Sequence, residues 1–273
     1  KMAVIIPPDL GAQLYAGTGP QLQLLTDGTD PNTAITLRQY ASQMVRQFSM
    51  QSSATQLATP ISIEQRMVYN PGLKSVFLFV PGVMALILML VSAMMTSLTI
   101  AREKELGTME LLLVSPLPPL LIILGKVIPY TVLSLLNALL IVAVGYYVFG
   151  VPLEGSFVVL LAVCLLFIAL ALALGILIST KAETQQSAML GSLMGLMMPT
   201  IILSGFLFPI ESMPALLQWI STIIPAKYFI ILLKDVMLKG SGWSYLWPEI
   251  LVLGGMTLFL LIASVKSFKI RLS

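Results

Sequence analysis

The chain has 273 residues, of which 58% are hydrophobic and only 10% are charged, and its formal net charge is +3. Soluble domains carry about a quarter charged residues, so this composition excludes a soluble globular protein and indicates an integral membrane protein. The absence of histidine and the single cysteine, Cys164, exclude a disulfide framework and the commonest metal ligands. The small positive charge gives no indication of a nucleic-acid partner.

Residues 1–72 have the composition of a small water-exposed domain. The stretches MAVIIP, QLQLLTDG and ISIEQRMVYN predict three strands, and PDLGAQLYAG predicts a short helix between the first two. A longer helix is predicted to begin with Asp30 as the cap and Pro31 at the first helical position. We therefore predict a mixed α/β domain in which three strands form an incomplete sheet.

Residues 73–273 are dominated by apolar runs and are predicted to form a polytopic transmembrane helix bundle, so the fold class is mainly α. Each predicted span is long enough to cross a hydrocarbon core of about 30 Å. Residues 210–244 are amphipathic and contain Pro214 and Pro225, which predicts short interfacial or re-entrant helices. The five spans are predicted at about 75–100, 121–149, 156–179, 187–209 and 245–265.

Basic residues favour one orientation of these spans. If the loop at 101–120 is cytoplasmic, the positive-inside rule is satisfied, the N-terminal domain lies outside and the C-terminus lies in the cytoplasm. A domain placed outside needs a preceding span or signal, so we expect an upstream helix and six spans in a full-length form. The predicted location is the plasma membrane, which in bacteria is the inner membrane. The basic residues on the predicted cytoplasmic side are Arg102, Lys104, Lys126, Lys181, Lys266, Lys269 and Arg271.

The segment 101–117, AREKELGTMELLLVSPL, places a dense cluster of charge between two apolar runs. We predict a helix over residues 102–114 that Ser115-Pro116 ends. One hypothesis is a solvated loop whose charges fix the topology, and periodicity alone favours it. The other is a surface that presents carboxylates, an ammonium group and a bare glycine backbone to a cytoplasmic partner.

The same segment, followed by GKVIPY, resembles the cytoplasmic signature of the type-2 ABC exporter permeases. YNPGLKSVFLFVPG, LSGFLFPIESMPALLQWISTIIPAKYF and LKGSG resemble other parts of that family, in the same order. The resemblance covers nearly the whole chain, although the N-terminal domain matches loosely and the family's first helix is missing.

This resemblance implies that the segment 101–117 docks into a cleft of a separate cytoplasmic ABC ATPase and couples its movement to the bundle. ATP and magnesium would be bound by that partner, and no cofactor by this chain. The resemblance also implies a dimer with a second permease copy or a paralogue, and it leaves a periplasmic adaptor open. The residues assigned to ATPase coupling are Glu103, Lys104, Glu105, Gly107, Thr108 and Glu110.

The energy source and the rival functions can be weighed from the residues. The sequence contains no P-loop, and the centres of the predicted spans hold no ionisable residue that a proton relay would need. A polytopic membrane enzyme acting on lipid or peptide is the alternative, but no catalytic constellation or metal site is predicted. A structural anchor would need only one span. We predict the permease of an ATP-driven exporter with a hydrophobic or amphiphilic substrate.

Four further residues are predicted to shape the bundle. Gly191 and Gly195 form a G-x-x-x-G face that fits either a dimer seam or ordinary packing within one bundle, and both interpretations stay open. Pro129 and Pro199 lie inside predicted spans and are hinge candidates.

Overall fold

The computed structural model describes residues 2–16, 21–53, 61–108 and 119–270. The described chain is mainly helical with one small sheet, which confirms the predicted fold class. It divides into two compact units, residues 1–78 and residues 79–273.

The first unit contains a three-stranded sheet in the order β1-β2-β3, antiparallel between β1 and β2 and parallel between β2 and β3. The middle strand buries Leu22, Leu24 and Thr26 on one face, as period-2 alternation requires. The Asp30 carboxylate accepts hydrogen bonds from the backbone amide of Asn32 at 3.0 Å, which caps the second helix as predicted. The elements are β1 (Met2–Ile5), α1 (Leu10–Ala16), β2 (Gln21–Asp27), α2 (Pro31–Ser53) and β3 (Ser62–Val68).

The second unit is a helix bundle. Among the residues that the structure describes, five helical segments are long and apolar enough to cross a membrane, which confirms the predicted number of spans. These segments are Val76–Glu105, Leu124–Tyr147, Phe157–Lys181, Gln185–Leu203 and Trp243–Ser267. The helices are α3 (Val76–Glu105), α4 (Pro119–Tyr147), α5 (Phe157–Lys181), α6 (Gln185–Ser192), a π-helix (Leu193–Met197), α7 (Met198–Leu203), α8 (Ala215–Ser221), α9 (Pro225–Met237) and α10 (Trp243–Ile270).

Helices α8 and α9 form a bent pair. They meet at 78° across a short break, and together they fit either a broken span or a re-entrant loop. Pro225 occupies the first turn of α9, where the missing N–H would have no helical partner. Helix α9 buries Phe229, Leu232 and Leu233, so this pair packs on the bundle through an apolar face.

Helix α5 is the centre of the bundle and packs against α4, α9 and α10. Its Phe167 ring stacks on Phe229 of α9 with the ring centroids 4.0 Å apart. A Cβ atom added at Gly175 would lie 2.9 Å from the Cα atom of Ala93, so α3 and α5 cross with their backbones in close approach. This crossing brings the C-terminal ends of both helices to the same end of the bundle.

Candidate functional site

The charged residues of the segment 101–117 begin as the last turn of α3, not as a separate helix. Helix α3 continues through Glu105, and the chain then turns at Leu106 and Gly107. Gly107 has a φ of +71°, a left-handed conformation that ends an α-helix and that favours glycine. The helix predicted over 102–114 is thus interrupted at Leu106 and Gly107, and its residues 109–114 lie outside the described residues.

Glu103 points from α3 towards α4. Its carboxylate forms an ion pair with the ammonium group of Lys126, near the start of α4. The side chains retain only 25% and 14% of their accessible surface, respectively. A pair shielded to this degree is costly to break from one side, because the remaining charge is left in poorly solvated surroundings.

Lys104 points from α3 towards the C-terminal end of α5. Its ammonium group donates hydrogen bonds to the backbone carbonyls of Ser179 and, at 3.4 Å, Ala182. The last carbonyls of a helix have no helical partners and carry the negative end of the helix dipole. A lysine is therefore well suited to this position.

Glu105 contacts the first residue of α6. Its carboxylate accepts hydrogen bonds from the backbone amide of Gln185 at 2.9 Å and from the side-chain amide of the same residue at 3.1 Å. Thr184 and Ser187 cap this helix in a reciprocal capping box. The carboxylate adds a negative charge where the helix dipole is positive.

These contacts join four helices at one end of the bundle. We call the group the α3-end cluster. Its adjacent residues Lys104 and Glu105 place opposite charges on the two helix ends that meet at the turn 182–184. The α3-end cluster consists of Glu103, Lys104, Glu105, Lys126, Ser179, Ala182 and Gln185.

The remaining predicted coupling residues are placed differently. Gly107 and Thr108 are exposed, as are the neighbouring Arg102, Glu105 and Leu106, and the Leu106 side chain retains 62% of its accessible surface. The Thr108 hydroxyl donates a hydrogen bond of 3.3 Å to the Glu103 carbonyl. Glu110 lies outside the described residues. Contact of any of these residues with an ATPase stays a prediction.

Hydroxyl groups add polar contacts between α3 and its neighbours deeper in the bundle. The Ser92 hydroxyl donates to the Ser134 hydroxyl of α4 at 2.8 Å. The hydroxyls of Ser97 and Ser192, the last residue of α6, share a hydrogen bond of 2.8 Å. Both pairs are buried, so each hydroxyl has a partner in apolar surroundings.

The predicted packing and hinge residues lie in α4 and along the segment from α6 to α7. A Cβ atom on Gly191 would lie 3.4 Å from Ile178 of α5, whereas no described atom would lie within 4 Å of one on Gly195. Pro129 lies inside α4, and Pro199 lies in the first turn of α7, directly after the π-helix. The dimer seam and the hinges stay predictions.

Four members of the α3-end cluster were not predicted as functional. Of these four, only Lys126 could have been identified from the sequence, since a lysine next to an apolar run needs a counter-charge. Ser179, Ala182 and Gln185 contribute backbone groups, and Gln185 also its side-chain amide, that only tertiary structure brings to α3. The described residues contain no group of three His, Cys, Asp or Glu side chains suited to a metal ion.

Comparisons with known proteins identify the family. The family described as ABC-2 family transporter protein matches residues 1–266. The chain is 36% identical over 266 residues to the probable multidrug ABC transporter permease YbhS of Escherichia coli K12, covering 96% of this chain and 69% of that protein. It is 31% identical over 256 residues to the probable multidrug ABC transporter permease YbhR of the same strain, covering 92% of this chain and 69% of that protein.

A more distant relative is ABC transporter G family member 20 of Dictyostelium discoideum, which is 29% identical over 250 residues, with 90% of this chain and 34% of that protein covered. No solved structure matches the chain significantly. The family match extends over the N-terminal α/β unit as well as the helix bundle, and the curated relatives match in both parts. The chain therefore belongs to the ABC-2 family of transporter proteins and is a multi-pass membrane permease.

Proposed function

We propose that this permease is the membrane subunit of an ATP-driven exporter and that the segment 102–115 receives movement from a separate cytoplasmic ATPase. The curated relatives are named as ABC transporter permeases, which supports the transporter part of the proposal. The 273 residues contain no P-loop, so nucleotide hydrolysis would be carried out by a partner that binds ATP and magnesium.

The observation that carries the proposal is the α3-end cluster. Three consecutive charged residues tie the last turn of α3 to α4, α5 and α6. A displacement of the chain that follows Glu105 would therefore be shared by four helices instead of being absorbed by one loop. The exposed Arg102, Leu106, Gly107 and Thr108 provide the surface on which an ATPase would act.

Substrate and assembly follow as further parts of the proposal. Relatives named as multidrug permeases support a hydrophobic or amphiphilic cargo. The segment from α6 to α7 exposes Met189, Met194, Met197 and Met198, and methionine side chains form adaptable apolar surfaces. We propose that this segment lines a substrate path at the interface with a second permease copy or a paralogue. In bacteria the complex would lie in the inner membrane with the α3-end cluster in the cytoplasm.

Copurification followed by reconstitution tests the proposal. The natural full-length permease should copurify with a stoichiometric P-loop ATPase, and vesicles containing both proteins should move an amphiphilic dye only when ATP and magnesium are supplied. A matched variant, Leu106→Asp, should weaken ATPase binding because it places a charge on an exposed apolar contact. Dye movement by the permease alone, without a nucleotide-hydrolysing companion, would contradict the proposal.

A further inference from the structure

The last turn of α3 and the residue that follows it include two kinds of residue that the sequence cannot separate. Glu103, Lys104 and Glu105 contact other helices of the same chain, whereas Arg102 and Leu106 are exposed at the end of α3. The family resemblance implies that Glu103, Lys104 and Glu105 all take part in coupling to the ATPase. Glu103 and Lys104 are half-buried against the bundle, whereas Glu105 is exposed like Arg102 and Leu106 but differs from them in that Gln185 holds its carboxylate.

The turn between α5 and α6 is held from both sides by adjacent residues of α3. Lys104 donates to the carbonyls of Ser179 and Ala182, where α5 ends, and Glu105 accepts from the amide of Gln185, where α6 begins. Each charge has the sign that its helix end attracts. Exchanging the two residues would place each charge at the helix end that repels it.

Apolar packing reinforces the same junction. Ala101, Ala182 and Ala188 form a small buried cluster, with 0%, 6% and 0% of their surfaces accessible. Alanines allow the backbones of α3, the turn and α6 to approach closely. One turn deeper, the hydrogen bond between Ser97 and Ser192 joins α3 to the last residue of α6, directly before the π-helix.

We infer that Lys104 and Glu105 are positioning residues that hold the turn 182–184 against α3, and that they do not dock the ATPase. We call this pair of contacts the clasp. The inference rests on the proposed function, since the clasp would carry movement of α3 into α6 and the π-helix. α6 is only eight residues long and runs into a π-helix, a rare helix type that is frequently found at functional sites. Substitution of either residue would uncouple ATP hydrolysis from transport while leaving the two subunits bound.

Two measurements on the full-length permease test the clasp. The first is hydrogen exchange of the peptide covering 182–190, measured without the ATPase. Lys104→Met and Glu105→Ala should speed exchange at the start of α6 about tenfold, because each removes a charge-assisted bond. Lys104→Arg and Glu105→Gln keep a donor and an acceptor, respectively, and should restore most of the protection. Arg102→Met, which removes a charge from the same turn, is the matched control and should leave exchange unchanged.

The second measurement compares ATPase affinity with transport for the same variants. Lys104→Met and Glu105→Ala should keep the wild-type affinity within about twofold and lose most of the ATP-driven transport, whereas Leu106→Asp should lose affinity. Unchanged exchange in both clasp variants, or a loss of affinity as large as that of Leu106→Asp, would overturn the inference. Absence of any ATPase bound to the wild type would refute the proposed function, and the exchange measurement would still decide the clasp.

Discussion

The ion pair between Glu103 and Lys126 is the contact of the α3-end cluster most sensitive to charge. Its side chains are largely shielded from solvent, and Lys126 lies beside the apolar run of α4. Removing one partner of a shielded pair costs more than the pair itself contributes, because one desolvated charge remains. A single substitution at either residue therefore leaves open whether the residue matters to its own chain or to a partner.

A charge exchange separates these two roles. Glu103→Lys and Lys126→Glu should each lower permease-stimulated ATP hydrolysis at least tenfold, since each places two like charges side by side. The double variant should recover to within about threefold of the wild type, because the pair is restored with its signs reversed. The measurement is ATP hydrolysis by the reconstituted complex, with the amount of inserted permease checked for each variant. A double variant as inactive as the single ones would show that Glu103 acts on the partner.

At the scale of helices, the crossing of α3 and α5 positions the α3-end cluster. Gly175 lies against the backbone of Ala93, so the spacing of the two helices is set where no side chain separates them. The same crossing holds Lys104 within reach of the last carbonyls of α5. Packing at the middle of the bundle thus determines polar contacts at its end.

Paired glycine substitutions test this dependence. In Gly175→Ala the new methyl group would lie 2.9 Å from the Cα atom of Ala93, and backbone atoms cannot move aside as a flexible side chain could. We expect a loss of about 2 kcal/mol and a Tm lower by roughly 4–8 °C in detergent. Gly254→Ala in α10 is the control, since no described atom would lie within 4 Å of its methyl group. Thermal unfolding monitored by tryptophan fluorescence gives the Tm of each variant. An equal Tm for the two variants would contradict the close crossing.

Prediction from sequence succeeded for elements whose signals are local. Consecutive residues signal both the start of α2 at Asp30-Pro31 and the apolar run of α5, and both helices form where they are predicted. The extension of α3 through Glu105 was missed, because the charged residues there suggested a new element. Only contacts with α4, α5 and α6 explain why a span continues into four charged residues.

The π-helix at Leu193–Met197 had no signal of its own in the sequence. The motif Gly191-x-x-x-Gly195 predicts a regular helical face, and a change of helical pitch depends on how the segment packs. The candidate site likewise depends on packing that the sequence does not show. Its side-chain members can be named from charge and resemblance, whereas its backbone partners become visible only in three dimensions.

At the scale of the whole molecule, the second unit has two chemically different ends. The α3-end cluster lies at one end, where α3 and α5 finish and α6 begins. At the other end the loop before α5 meets the end of α9, where the amide of Glu154 donates to the carbonyl of Met237 at 3.0 Å. Exposed aromatic residues occur in α8 and at the start of α10. They are Trp219, Trp243, Tyr245 and Trp247, residue types that concentrate at membrane interfaces.

Cysteine labelling decides which end faces the cytoplasm. The native Cys164 is buried in α5, and replacing it in a Cys164→Ala background leaves little background labelling. Leu106 and Trp219 retain 62% and 77% of their accessible surface, and Leu106→Cys and Trp219→Cys therefore place a thiol in reach of reagent at each end. A membrane-impermeant maleimide should label Trp219→Cys in intact spheroplasts and Leu106→Cys only after the membrane is disrupted. The reverse pattern would place the α3-end cluster outside, where no ATP is available, and an ATPase could not act on it.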